Sequence, residues 1–434
     1  MSDAAPAVGT SQQRSLPLAT RIAEVVATFG VPVFLLCLPL EFTSTIFRLQ
    51  LARIVLLVVG VAFAYLVVVG QRRLVIPVST SSILIAVFAA AAVLSWLTTR
   101  APGSLNALAD ITLYPIAAVL IFNLSRSERD HRNAWIAFLI SGIAVAFLIA
   151  FLYYTHLWIW RPDPGGLRVN GPFGDPNIAA RFLTLAAAAA ISLYAARIGL
   201  DRLATAVAVA CAAFVTFTFS KTSLGAFPAT VIVATALART WRRALFIGTL
   251  AFLVFAFAVV IVPGSYARVV RVLGIVSAPV TTPDEATLPV DSVRTYLIYA
   301  GLDMFRDHPL TGVGFGGYQN AIKTTYSHYI PADTPNVTLS HTSFVTILAE
   351  QGLVGGALLA AFLVLLVVEL WPSFRRPTRW RVWIVTPALF LVPILGYSQL
   401  EGRLLEEPYL WVALALLYSA RALEGSTRTV QVRP

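Results

Sequence analysis

Apolar runs of nearly twenty residues recur along most of the chain, and this recurrence constrains the fold more than any other feature. As an α-helix, each run is long enough to cross the hydrocarbon core of a bilayer, which is about 30 Å thick. Only 12% of the residues are charged, against about 25% in soluble domains. The sequence therefore predicts an all-α, polytopic membrane protein with twelve spans, at 22–40, 51–70, 83–99, 105–124, 134–155, 177–196, 203–219, 222–238, 244–262, 353–371, 382–400 and 408–421.

The basic residues predict which way the spans are oriented. Of the 32 Lys and Arg residues, 19 lie in every second connection and in the two tails. Short cytoplasmic loops are enriched in Lys and Arg, so this side is predicted to be cytoplasmic. The chain then divides into a cytoplasmic tail, nine spans, a periplasmic loop, three spans and a second cytoplasmic tail, at 1–21, 22–262, 263–340, 341–421 and 422–434.

The distribution of charge and the positions of the cysteines argue against a nucleic-acid partner, a disulfide framework and a thiolate metal site. The formal net charge is +11, but its distribution follows membrane topology, so we expect no nucleic-acid partner and membrane lipids as neighbours. Cys37 and Cys211 both lie inside apolar runs. They predict neither a disulfide framework nor a thiolate metal site.

Charged residues inside the spans, or at their mouths, predict a functional site. A charge in hydrocarbon costs at least about 2.5–3.5 kcal/mol, so its presence needs a reason. With the predicted topology, Arg53, Asp110, Arg181, Lys221 and Glu350 fall toward the outer leaflet. A site that opens to that leaflet explains the whole set, although snorkelling to lipid phosphates explains any single Arg or Lys.

A turn-rich segment enters the sixth span. Asn170-Gly-Pro-Phe-Gly-Asp-Pro-Asn177 is dense in turn formers, and Asn177 and Arg181 lie four residues apart, on one face of the helix that follows. A structural turn and a substrate contact remain equally open for this segment.

The connection at 263–340 is far longer than ordinary loops, and such loops are usually functional or disordered. Its many tyrosines and a predicted amphipathic helix from Ser292 to Arg306 indicate order. Gly312, Gly314 and Gly317 formally match G-x-G-x-x-G, but no strand precedes them, so a dinucleotide site is rejected. These glycines are predicted to let the backbone approach a neighbour or a ligand closely, just before Tyr318.

His341 opens the segment that returns to the membrane. A neutral imidazole at this position can act as a general base, and an interfacial histidine bonded to backbone is the alternative. The sequence has no H-E-x-x-H metal motif and no G-x-S-x-G nucleophile elbow.

Taken in order, these motifs resemble the O-antigen ligase and polymerase superfamily of bacterial envelope glycosyltransferases. The resemblance covers roughly residues 20 to 420. Its motifs are Gly-Pro-Phe-Gly-Asp-Pro-Asn177, Ser220-Lys221, Arg294, His308-Pro-Leu-Thr-Gly312-Val-Gly314, His341 with Glu350-Gln-Gly352, and Glu407-Pro-Tyr-Leu-Trp411.

The resemblance implies a GT-C-like glycosyltransferase in the bacterial inner membrane with its active site in the periplasm. It would move a glycan from undecaprenyl diphosphate to a hydroxyl of lipid A–core or another glycan, with inversion and without metal or cofactor. His341 would be the catalytic base and Arg294 a catalytic cation. The substrate-binding residues would be Lys221, Arg181, Arg168, Arg53, Asn177, Gly312, Gly314 and Tyr318.

One residue departs from the family pattern. Lys221 stands where the family usually has arginine, which keeps the charge but loses the bidentate fork that suits phosphate. Two other functions remain open: a polymerase that uses the same donor, and, in a different class, a lipid or solute transporter.

Overall fold

A computed structural model describes residues 17–42, 50–101, 104–157, 168–238, 240–266, 290–330, 340, 342–375, 378–401 and 404–431. Within these residues all regular structure is helical. Before the long connection, the described helices are α1 (Leu18–Cys37), α2 (Leu51–Val68), α3 (Thr80–Thr99), α4 (Leu105–Leu124), α5 (Glu128–Thr155), α6 (Pro176–Ala196), α7 (Asp201–Phe214), α8 (Lys221–Leu237) and α9 (Trp241–Ile261). The remaining ones are α10 (Val290–Asp307), α11 (Tyr318–Lys323), α12 (Ser343–Arg375), α13 (Arg381–Glu401) and α14 (Pro408–Gln431).

The predicted all-α membrane fold is confirmed. Among the described residues, ten helices are long and apolar enough to cross a membrane. The eighth predicted span is the shorter apolar helix α8, and the twelfth is α14, whose later part carries Arg421 and Glu424. The amphipathic helix predicted inside the long connection is also present, as α10.

Three arginine–carboxylate ion pairs lie at one end of the helix bundle, which we call the arginine-rich end. There Arg72 pairs with Glu24, Arg243 with Asp201 and Arg421 with Glu369. At the opposite end α5 and α9 end and α6 and α12 begin, and we call it the loop end. Glu24 and Glu369 lie inside predicted spans, so the sequence prediction, which put the span charges at the loop end, was incomplete.

Helix α6 lies at the centre of the bundle. Of its membrane-crossing residues 89% are buried, whereas only 28% of those in α2 and 28% of those in α3 are buried. Its run of alanines from 186 to 190 lets neighbouring helices approach closely, as small residues do in membrane bundles. At Gly142 of α5, for example, an added Cβ would lie only 2.6 Å from the Cβ of Ala186. Helix α6 is therefore closely packed against its neighbours.

Helix α12 is broken at Gly352, whose φ of 61° and ψ of −154° are non-helical. The break leaves backbone groups without helical partners, and the segment 309–314 of the long connection supplies them. Its amides donate to the carbonyls before the break, Val313 N to Ala349 O at 2.8 Å and Gly314 N to Glu350 O at 2.9 Å. Its carbonyls accept from the amides after the break, with Leu353 N donating to Pro309 O at 2.8 Å.

A second, smaller hydrophobic core anchors the long connection to α12. Leu297, Ala300 and Met304 of α10 pack with Tyr318 of α11 and with Ala349. Because Ala349 belongs to the first part of α12, the connection and the broken helix form one packed unit at the loop end.

We expect Gly352→Ala to destabilise the protein. The backbone at Gly352 lies in a region that is essentially restricted to glycine and costs other residues about 1–3 kcal/mol, and the added Cβ would collide with the Leu310 carbonyl. Thermal unfolding in detergent measures the effect. Gly396→Ala, where a Cβ meets nothing within 4 Å, is the control and should change stability by no more than about 1 kcal/mol. Equal melting of the two variants would contradict this account of the break.

Candidate functional site

Helices α6 and α8 begin side by side at the loop end. The Asp175 side chain caps α6 by accepting from Asn177 N at 2.6 Å, and Ser220 caps α8. Ser220 Oγ also donates to Asn177 Oδ1 at 2.7 Å, which joins the two helix starts directly. The motifs at 171–177 and 220–221, distant in sequence, are therefore neighbours in the fold.

Two cations lie beside this pair of helix starts. Lys221 is the first residue of α8 and is exposed. Arg168 is half-buried, and its Nε has no hydrogen-bond partner among the described residues. The next residue, Val169, donates its backbone N–H to Phe217 O at 3.2 Å, which holds the arginine near the start of α8. Helix N-termini carry partial positive charge, so helix starts and cations together favour an anion.

Arg181 lies one turn further into α6 and is fully buried. Its Nη2 is 2.9 Å from Glu407 Oε1, directly before α14, and its guanidinium lies 5.9 Å from the ring centre of Tyr409. The sequence prediction placed Arg181 against a substrate and did not foresee Glu407 as its partner. In the structure this ion pair joins α6 to the start of α14.

Arg53 is also paired with a carboxylate. Its Nη2 donates to Asp110 Oδ1 at 2.8 Å and to the Tyr114 hydroxyl at 3.3 Å. Both members of the ion pair keep a minor exposed fraction. The pair connects the start of α2 to α4, away from the joined starts of α6 and α8.

The glycines and tyrosine of the long connection contact protein in this structure. Added Cβ atoms would collide with the backbone of α12 at Gly312 and with Thr99 of α3 at Gly314, and both glycines have positive φ. Tyr318 is fully buried; its hydroxyl donates to Leu297 O and its amide donates to Glu350 Oε1 at 3.1 Å. Burial raises the pKa of the Tyr318 hydroxyl above its usual range.

Two tyrosines that follow α11 are held to α10 by hydrogen bonds to its carboxylates. The Tyr326 hydroxyl donates to Asp307 at 2.6 Å, and the Tyr329 hydroxyl donates to Asp303. The second contact, aided by Arg306, lowers the pKa of the Asp303 carboxyl. Burial and then Asp307 raise the pKa of Tyr326 to about 12. Asp303 and Asp307 are thus engaged as hydrogen-bond acceptors from tyrosines.

The side chains of the two predicted catalytic residues lie outside the described part of the chain. His341 lies outside the described residues; on either side of it, Ser340 Oγ donates to Thr342 O at 2.8 Å and Ser343 Oγ donates to Ser398 Oγ at 2.9 Å. Arg294 lies in α10, but its side chain is outside the described part. Among the described residues no group of His, Cys, Asp and Glu could hold a metal ion.

Comparison with known protein families decides the kind of domain that carries these residues. Residues 206–360 match the family model for O-antigen ligase, Wzy_C. The chain carries an O-antigen ligase domain. No curated protein matched the chain. The predicted family is thereby confirmed for residues 206–360, and such a domain points to a membrane glycosyltransferase-like ligase activity.

The O-antigen ligase domain contains part of the candidate site and contacts another part of it at Asn177. Lys221, Arg294 and His341 lie within the matched segment, as do Gly312, Gly314 and Tyr318. Arg53, Arg168, Asn177 and Arg181 precede it. The bond from Ser220 to Asn177 and the packing of α6 against α8 join the two parts of the site.

We expect either Arg181→Met or Glu407→Leu alone to destabilise the protein by about 3–5 kcal/mol, because each removes the charged partner of a buried ion. The double variant Arg181→Met/Glu407→Leu should recover much of this loss, since it leaves no unpaired charge. Thermal unfolding in detergent is the measurement. Arg306→Ala, which breaks an exposed pair with Asp303, is the control and should cost no more than about 1 kcal/mol. Additive losses in the double variant would show that the two side chains act independently.

Proposed function

We propose that this O-antigen ligase domain protein transfers a glycan from undecaprenyl diphosphate to a hydroxyl of lipid A–core at the loop end, on the periplasmic face. The observation that carries the proposal is the family match at 206–360 on a segment whose Lys221 lies beside two joined helix starts. This arrangement supports an anionic leaving group at the membrane surface.

The leaving group of the proposed reaction is a lipid diphosphate. As the bond from the anomeric carbon to the diphosphate oxygen breaks, negative charge develops on that oxygen, and fixed positive groups stabilise it. Lys221, Arg168 and the starts of α6 and α8 are the groups for this task. In this proposal Arg294 approaches the same diphosphate from α10. Arg181 and Arg53 act less directly, because each is paired with a carboxylate.

The acceptor hydroxyl requires a base. In the proposed step His341 takes the hydroxyl proton while the acceptor oxygen bonds to the anomeric carbon on the face opposite the diphosphate. Undecaprenyl diphosphate leaves in the same step, and the configuration at the anomeric carbon inverts. On either side of His341, Ser340 is hydrogen-bonded to Thr346 and Ser343 to Ser398.

A polymerase is the second candidate. It would use the same donor and the same leaving-group chemistry, but its acceptor would be another lipid-linked repeat. A transporter, in a different class, would move lipid or solute without breaking the glycosidic bond. The family match favours transfer chemistry over transport.

We expect His341→Ala to lower glycan transfer by about 10²–10⁴-fold, the usual contribution of a general base, and Arg294→Ala to abolish it. Transfer is measured with purified protein in liposomes that contain the undecaprenyl-diphosphate-linked glycan and lipid A–core. His328→Ala and Arg306→Ala are matched controls from the same connection, both exposed, and should retain activity. Transfer by His341→Ala at the wild-type rate would remove the base assignment, and wild-type protein that transfers nothing would favour transport.

Sidedness can be tested independently of activity. We expect single cysteines introduced at 294 and 341 to react with a membrane-impermeant thiol reagent added to the periplasmic side of whole cells. A cysteine at position 129 is predicted to be cytoplasmic and should react only after permeabilisation. Labelling in the reverse pattern would end the proposal that transfer takes place in the periplasm.

A further inference from the structure

A cavity of about 320 Å³ lies at the loop end between the last turns of α3 and the broken part of α12. Four hydroxyl side chains and an amide belong to its lining: Ser95, Thr98, Thr99, Thr311 and Gln351. The remaining lining residues have no polar side chain and include Leu94. No charged side chain of the described residues lines it. Its chemistry therefore differs from that of the cation-bearing starts of α6 and α8.

The polar lining of this cavity offers both hydrogen-bond acceptors and donors. The hydroxyls of Thr98 and Thr99 both donate to Ser95 O, at 2.8 and 2.9 Å, so their oxygens are left as acceptors. Gln351 is 5% exposed, and its Oε1 has no hydrogen-bond partner among the described residues. Its amide N–H groups are donors.

A ligand that fits forms hydrogen bonds both as donor and as acceptor, carries no charge and offers an apolar surface. A phosphate does not fit, because no cation of the described residues lines the cavity. An acyl chain suits the apolar part of the lining but forms no hydrogen bond with the hydroxyls and the amide. A sugar ring satisfies all three conditions, because its edges carry hydroxyl groups and its faces are apolar.

We infer that the cavity between α3 and α12 is a subsite for an uncharged sugar residue of the transferred glycan or of its acceptor, with Thr98, Thr99, Thr311 and Gln351 as its polar contacts. This inference rests on the proposed function for the identity of the glycan. The subsite depends on the break at Gly352, because the docked segment 309–314 brings Thr311 opposite α3.

Bulky substitutions at the rim test the subsite. Thr98→Trp and Thr311→Trp place an indole in the cavity from exposed positions. Leu97→Trp and Leu310→Trp, at exposed neighbouring residues outside the lining, are matched controls. All are assayed as full-length protein in nanodiscs, for transfer kinetics and for binding of two lipid-free probes by saturation-transfer NMR. The probes are the oligosaccharide released from the donor and the oligosaccharide released from lipid A–core.

We expect Thr98→Trp and Thr311→Trp to raise the KM for one substrate by about tenfold, as expected when one or two hydrogen bonds are lost, with kcat nearly unchanged. Binding of the matching probe should weaken equally, and the two controls should behave as wild type. The probe that is affected assigns the subsite to donor or acceptor.

Some results would overturn the subsite alone. If wild-type protein transfers glycan but the cavity variants and controls share its KM and its probe binding, the subsite is wrong and the proposed function stands. Loss of bound phospholipid in Thr98→Trp, with unchanged probe binding, would show an acyl-chain groove instead. If wild-type protein binds a probe in a Thr98-sensitive way yet transfers nothing, the sugar subsite stands and the proposed function fails.

Discussion

Inside a bilayer a polar group without a partner costs several kcal/mol, and this constraint organises the structure. The clearest case is α12, where the break at Gly352 would leave carbonyls and amides unsatisfied on both sides. The long connection satisfies them with its own backbone from 309 to 314. The break and the connection therefore depend on each other. Through this mutual dependence a loop outside the spans is placed against α3 and α12 with a defined geometry.

The same constraint separates the cations of the loop end into two groups. Arg181 and Arg53 enter the bundle, and each is paired with a carboxylate, from Glu407 and Asp110. These pairs lock helices together, and their charges are largely compensated. Lys221 is exposed at a helix start, beside Asn177 and Ser220. The starts of α6 and α8 and this cation together favour an anion at that place.

Two surfaces of different chemistry result at the loop end. One is positively charged and built from helix starts, which suits a diphosphate. The other is uncharged, rich in hydroxyl groups and partly apolar, which suits sugar rings. In the proposed transfer reaction a lipid-linked glycan needs both, because its charged and uncharged parts must be held at once while only the bond between them breaks.

The sequence by itself determined the number and position of the apolar helices, because hydrophobic length is a local property that a bilayer reads directly. It also determined α10 and the family, since both rest on local patterns. Only the tertiary structure decided the partners: Glu407 lies 226 positions after Arg181 in the numbering, and no local pattern links them. Likewise, the glycines at 312 and 314 predicted close approach, but not that α12 and Thr99 are what they approach. Such contacts depend on how helices pack, and packing is a property of the whole bundle.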